Sequence, residues 1–223
     1  MQYITPEQMD TIDQNSEKLG VPRILLMENA GRAVSQHIIK KFKELKNKKI
    51  MIIAGTGNNG GDGFVAARHF ASYTTNINVT LLGYEVKTSE ALINWNGINS
   101  MKKTIKINKI SDSSFIEDLN FNIINADIII DAIFGTGIRG CLREPYSTTI
   151  DLINQSKAFV LSVDIPSGLD PLTGEIHEKS VIADETITFH RYKIGLKKRK
   201  DITGKLVLAT IGVPPEAEEN VIT

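Results

Sequence analysis

From residue 49 onward, short apolar runs rich in Ile and Val alternate with longer segments whose apolar residues recur at helical spacing. That alternation is the sequence form of a parallel sheet with crossover helices. The runs predict strands near 49–54, 77–82, 104–107, 127–131, 158–163, 185–189 and 205–211, with helices over 62–74, 88–101, 112–124 and 145–155. Two helices precede the first of these strands. Thr5 caps the first helix, with Pro6 at its opening position and Gln8 placed to close a capping box, and the helix ends near Gly20. The second runs from about Pro22 to Phe42 and gathers Ile24, Leu25, Met27, Val34, Ile38 and Ile39 on one side, with Ala30 and Gly31 small enough for close contact with another element. No repeat, low-complexity stretch or long linker interrupts the pattern, so residues 1–223 read as one three-layer α/β domain.

Three turns stand out against that pattern. Between the apolar run ending at Ala54 and the helix-like segment from Phe64 lies Gly55-Thr56-Gly57-Asn58-Asn59-Gly60-Gly61-Asp62-Gly63. A glycine-rich turn leading from a strand into a helix lines up backbone N–H groups at the positive end of a helix dipole, which suits a phosphate. Gly55, Gly57 and Gly60 match the dinucleotide-binding spacing, a weak signal alone. The two asparagines and Asp62 make the turn polar enough for a sugar, a metal or a substrate, and Asp62 reads equally as the cap of the helix that follows.

The runs 127–130 and 158–163 are apolar on both faces, which marks central strands covered by helices. Each ends in an aspartate, Asp131 and Asp164, followed by glycine-bearing loops that carry Gly135 to Cys141 and Ser167. In an open parallel sheet the carboxyl ends of the strands share one edge, where ligands bind. Asn58, Asn59, Asp62, Asp131, Asp164 and Ser167 are therefore expected at one place. A single aspartate in such a loop is as often a turn-fixing residue, but the set favours a functional site.

Composition narrows the field further. Twenty-six basic residues balance 26 acidic ones, so no global field recruits nucleic acid or an anionic membrane. The run Lys197-Lys198-Arg199-Lys200 lacks interleaved aromatics and reads as a solvated loop. Cys141 is the single cysteine, which excludes an internal disulfide and a paired-cysteine metal site and suits a reducing compartment. His37, His69, His177 and His190 show no metal-ligand spacing. Charges interrupt the first 19 residues and no apolar run approaches the ~20 residues of a membrane helix, so a cytoplasmic protein is expected.

At these residues the chain resembles the NAD(P)H-hydrate epimerases, the YjeF N-terminal domain family. The resemblance is carried by Leu26-Met27-Glu28-Asn29-Ala30-Gly31, Asn58 to Gly63, Asp131 to Gly140, Ser162 to Asp170, Ala183 to Phe189 and Lys193-Ile194-Gly195-Leu196, and it covers nearly the whole chain. It implies a Rossmann-like three-layer αβα sandwich with a mostly parallel central sheet and two N-terminal helices. It also implies interconversion of the R and S epimers of hydrated NADH and NADPH (NADHX and NADPHX), a repair step feeding a separate ADP- or ATP-dependent dehydratase. By the same resemblance, substrate is bound by Asn58, Asn59, Gly60, Gly61 and Asp62, by Gly135, Thr136, Gly137, Ile138, Arg139, Gly140 and Cys141, and by Asp164. One potassium ion per subunit is expected among Asn59, Asp131 and Ser167, and a homodimer is the expected assembly.

The chemistry suits these residue types. Loss of hydroxide from the hydrated ring carbon, pushed by the ring nitrogen, and return of water on the other face needs a group that protonates the leaving oxygen. Asp164 is the candidate for that shuttle, and Asp62 is then read as a loop-fixing residue. The chain stops soon after Pro215, which leaves no room for a fused dehydratase, so a standalone epimerase or part of a longer protein is expected. Two other readings stay open: a non-catalytic nucleotide-binding or scaffold module, and an NAD-dependent dehydrogenase with Glu85 as its ribose-binding acid.

Overall fold

In the computed structural model, residues 3–112, 116–136, 142–176 and 178–222 are described. In chain order they form β1 (Tyr3–Ile4), α1 (Pro6–Lys18), α2 (Arg23–Phe42), β2 (Ile50–Ala54), α3 (Asn58–Phe70), β3 (Ile77–Leu82), α4 (Ser89–Asn99), β4 (Ile105–Ile110), α5 (Ile116–Ile124), β5 (Ile128–Ala132), α6 (Tyr146–Gln155), β6 (Phe159–Val163), β7 (Glu185–Phe189), β8 (Tyr192–Lys193), α7 (Lys200–Thr203) and β9 (Lys205–Ala209). Seven strands make one parallel sheet in the order β4-β3-β2-β5-β6-β7-β9. β2 lies between β3 and β5, so the strand order reverses beside it. That reversal opens a crevice at the carboxyl ends of β2 and β5.

The alternation of side chains across a strand divides the core into two layers. Ile50, Ile52 and Ala54 of β2 join Ile128, Ile130 and Ala132 of β5 under α2, α3 and α4. Met51, Ile53 and Ile129 face the other way, against Leu119 and Ile123 of α5 and Ile150 and Ile153 of α6. Phe64 is fully buried with its ring 5.1 Å from that of Trp95, and burial on this scale contributes ~2–3 kcal/mol per large side chain.

Local signals hold where they are local. Thr5 accepts from the backbone N–H of Gln8 at 3.1 Å while the Gln8 side chain accepts from the N–H of Thr5 at 3.0 Å, the predicted capping box. The glycine turn departs from the prediction. α3 begins at Asn58, four residues before the predicted start, and ends at Phe70. Its glycines are selected by close approach rather than helix propensity: a Cβ on Gly60 would lie 2.0 Å from the Gly55 carbonyl oxygen, and one on Gly63 2.8 Å from Ala132 Cβ. β9 likewise ends at Ala209, two residues short of the predicted 211.

β1 and β8 were not foreseen. They pair in parallel, with Ile4 opposite Lys193, and so tie the N-terminus to the segment after β7. That pairing sets α1 at the mouth of the crevice, where Ile4 and Ile12 pack with Ala217 of a 3-10 turn at Pro215–Glu218. The basic run lies partly in a 3-10 turn at Ile194–Lys198, with Arg199 held by Asp201 and Lys198 by the Thr173 carbonyl. Among the described residues no helix is long and apolar enough to cross a membrane.

Candidate functional site

The first N–H groups of a helix have no intrahelical acceptor and carry the positive end of its dipole. At α3 these groups open onto the crevice. The cap is Gly57, whose lack of a side chain leaves them uncovered, and the first helical bond runs from the N–H of Gly61 to the Gly57 carbonyl at 3.1 Å. Asp62 is therefore not the cap. It lies in the second turn of α3, half-buried, and its side chain faces the crevice.

Behind the helix end, Asp131 is fully buried within β5, with Ala132 following it in the strand. Its carboxylate accepts from the Ser162 hydroxyl at 2.8 Å, from the Ser167 N–H at 2.9 Å and hydroxyl at 2.5 Å, and from the Ile133 N–H at 3.3 Å. Ser167 Oγ in turn accepts from the Phe134 N–H at 2.9 Å. Burial pushes the Asp131 carboxyl above its ordinary range, against these donors. The knot thus ties β5, β6 and the two loops after them.

Beside it, Asn59 is only 8% exposed, and among the described residues neither the oxygen nor the nitrogen of its amide has a hydrogen-bond partner. A Cβ placed on Gly135 would lie 3.3 Å from that oxygen, so the chain after β5 passes close by. Leaving a buried amide unmet costs about 1–3 kcal/mol, which makes a ligand at this point the economical explanation. An amide oxygen, a hydroxyl and a carboxylate are hard oxygen donors of the kind that hold a hard cation. Among the described residues no three His, Cys, Asp or Glu side chains gather to hold a metal ion.

The third component is an ion pair. Asp164 follows β6 with φ +64°, a left-handed conformation in which its N–H donates to the Ile187 carbonyl at 2.7 Å. Its Oδ1 accepts from the Lys193 ammonium, from the Thr188 hydroxyl at 3.1 Å and from the Phe189 N–H at 3.4 Å. Lys193 is 1% exposed and completes its shell on Thr188 Oγ1 and the Phe189 carbonyl, each at 3.1 Å. A buried ammonium persists only where it is paired and hydrogen-bonded in this way.

These groups share one cavity of about 370 Å³, within the range of small-molecule sites. Asn58, Asn59, Asp62, Gly135, Thr136 and Asp164 line it, as do Asp13 and Met9 of α1 and Lys193. Gly60 and Gly61 are buried beneath it, and Asp131 and Ser167 lie one layer behind. Gly137, Ile138, Arg139, Gly140 and Cys141 fall outside the described residues. Glu85 is exposed and away from the cavity wall, so the ribose-acid reading finds no support there.

The family model described as YjeF-related protein N-terminus matches residues 24–195. The chain belongs to this family. It is 42% identical over 221 residues to the NAD(P)H-hydrate epimerase of Nitrosopumilus maritimus, a match covering 98% of this chain and 99% of that relative. It is 45% identical over 219 residues to the bifunctional NAD(P)H-hydrate repair enzyme Nnr of Methanothermobacter thermautotrophicus, covering 96% of this chain and 41% of that one. It therefore spans the length of the first relative and about two-fifths of the second. The crystal structure of the yeast protein Ynu0 superposes with a TM-score of 0.74 at 25% identity, over 91% of this chain and 86% of that one.

In this YjeF-related domain four charged residues of the cavity wall, Asp13, Arg23, Glu90 and Lys193, escaped the reading of the sequence as site residues. Burial lifts Asp13 to about 6, with Arg23 opposing and Asp10 and Asp164 reinforcing. Asp62 is pushed well above the carboxylate range, first by burial and then by the charge of Asp164, while Lys193 pulls the other way. The only signal for Lys193 was its place in the segment Lys193-Ile194-Gly195-Leu196, and Asp13 had none beyond the polar side of α1.

Proposed function

We propose that this chain interconverts the R and S epimers of hydrated NADH and NADPH, and that its product feeds a separate ADP- or ATP-dependent dehydratase. The observation that carries the reading is the meeting, in one cavity, of an uncapped helix N-terminus with the Asp164–Lys193 pair. The names of the two curated relatives support the same activity. The phosphates of the dinucleotide bind at the N–H groups opening α3, and the hydrated ring lies toward Asp164.

As the C–O bond of the hydrated carbon breaks, the ring nitrogen gains positive charge. Asp164, the anionic member of the buried pair, stabilises that charge, and its fixed donors mean that little reorganisation accompanies the step. Asn59, Asp131 and Ser167 hold one potassium ion per subunit, which supplies positive charge and an oxygen template when bound. The working form is a homodimer in the cytoplasm.

Incubation of a single purified epimer of hydrated NADH with the protein in potassium buffer tests the reading. Chromatography should show the two epimers approaching equilibrium well ahead of the spontaneous rate. An unchanged rate at high protein concentration would leave a non-catalytic binding module.

A further inference from the structure

Four carboxyl groups line the one cavity, Asp13, Asp62, Glu90 and Asp164, and its walls hold one buried ammonium, Lys193. Lys193 cannot neutralise more than one of them, and its hydrogen bond goes to Asp164. Asp13 has Arg23 of α2 opposing its charge. Arg23 itself bonds to Asp10 at 3.0 Å and approaches Glu17 at 3.9 Å. Glu90 accepts from the Ser89 hydroxyl at 2.9 Å. Among the described residues neither Asp13 nor Asp62 has a hydrogen bond or ion pair to its carboxyl, and of the two it is Asp62, half-buried on α3, that only Lys193 opposes, an ammonium already bound to Asp164.

The charged groups that share the cavity wall with it come from five places, Asp13 on α1, Arg23 on α2, Glu90 on α4, Asp164 after β6 and Lys193 on β8, and of these Asp164, Lys193 and Asp13 act on its charge. A second carboxylate beside Asp164 would have no cation of its own. Asn59, one helical turn before Asp62 on α3, is more than nine-tenths buried, without a partner among the described residues, and lines the same cavity, which marks the wall as one that receives a ligand.

We infer that Asp62, rather than Asp164, is the residue that carries the proton in the chemical step. This rests on the epimerase reading. As the C–O bond breaks, its electron pair goes to oxygen, the lone pair of the ring nitrogen forms the C=N bond, and the Asp62 proton passes to the departing oxygen, which leaves as water. Water then adds to the other face through its oxygen. The C=N electrons return to nitrogen, and the proton the added water gives up passes through solvent in the cavity to the Asp62 carboxylate. Nothing is consumed, and the same residue serves both directions. A carboxyl without a cation beside a carboxylate held by an ammonium is the usual acid and anion pair of such sites.

Asp62→Asn tests this, because the amide copies a neutral carboxyl in shape and charge but has no proton to give. The measurements are kcat and KM on a single epimer, the pH profile of kcat, and thermal melting at pH 4.5 and pH 8. Wild type should lose rate as pH rises through the Asp62 ionisation. The variant should lose roughly a hundredfold or more in kcat, with KM within a few fold and that falling limb absent. Its melting temperature should equal or exceed wild type at pH 8, since it removes a carboxyl that burial disfavours in charged form. A variant that turns over within a few fold of wild type, or keeps the falling limb, overturns the assignment and returns the proton to Asp164 or to water. Wild-type protein without epimerase activity would instead sink the function, and this inference with it.

Discussion

Lys193 and Asp164, 29 residues apart in sequence, form an ion pair in which the lysine side chain is 2% and the aspartate side chain 13% exposed. Removing one member of such a pair strands the other charge out of water, which costs about 3–5 kcal/mol.

Lys193→Met should therefore melt much lower than wild type and lose activity. The Asp164→Asn/Lys193→Met double variant should recover part of that stability, since neither charge remains. Melting of the wild type, both single variants and the double variant closes the cycle. Additive losses would mean that the pair carries no coupling.

Asn59 sets a second test. If its buried amide oxygen waits for potassium, replacing potassium with a large organic cation should lower both melting temperature and activity, because a ligand bound only by the folded state stabilises it by mass action. Asn59→Ala should abolish the cation dependence. In the organic cation it should melt no lower than wild type, since it deletes an unmet polar group worth ~1–3 kcal/mol. Cation-independent melting of the wild type would count against the site.

The glycine turn separates binding from folding. Gly57 has open space where a Cβ would stand, and its φ of −100° suits any residue, so Gly57→Ala should leave the melting temperature near wild type. Gly60→Val is a different case. The sequence alone suggests that it chiefly blocks the phosphates, but its Cβ would meet the Gly55 carbonyl at 2.0 Å, so the turn itself must move. The protein should lose stability as well as affinity, and a variant with wild-type melting would contradict the close approach.

Asp13 predicts a dependence of stability on pH. Its carboxyl titrates near 6 in the folded protein against 3.8 ordinarily, so the folded state holds its proton longer than the unfolded chain. Its contribution is full below about pH 4 and is lost as pH rises through 6. At ~1.36 kcal/mol per pKa unit the gap sets a ceiling of about 3 kcal/mol, reduced by partial exposure of the side chain. Asp13→Asn should melt higher than wild type at pH 7.5 and alike at pH 4. Parallel pH curves for the two proteins would refute this.

The elements that sequence alone determined are those whose causes lie within a few residues. The Thr5–Gln8 box is local hydrogen bonding, and the strands at 50–54, 128–132 and 159–163 are local runs of apolar side chains that only a doubly covered sheet can bury. Parallel topology then brought the Asn58, Asp131 and Asp164 loops to one edge, since every strand of such a sheet ends on the same side. The start of α3 was not legible. Gly60, Gly61 and Gly63 oppose a helix by propensity, and only contacts with Gly55, Met27 and Ala132 select glycine there. Nor could sequence show which carboxyl owns the cation. Asp164 meets Lys193, carried by β8 opposite β1, while Asp62 has no partner among the described residues. Burial and charge pairing depend on distance in space, which only the folded chain defines.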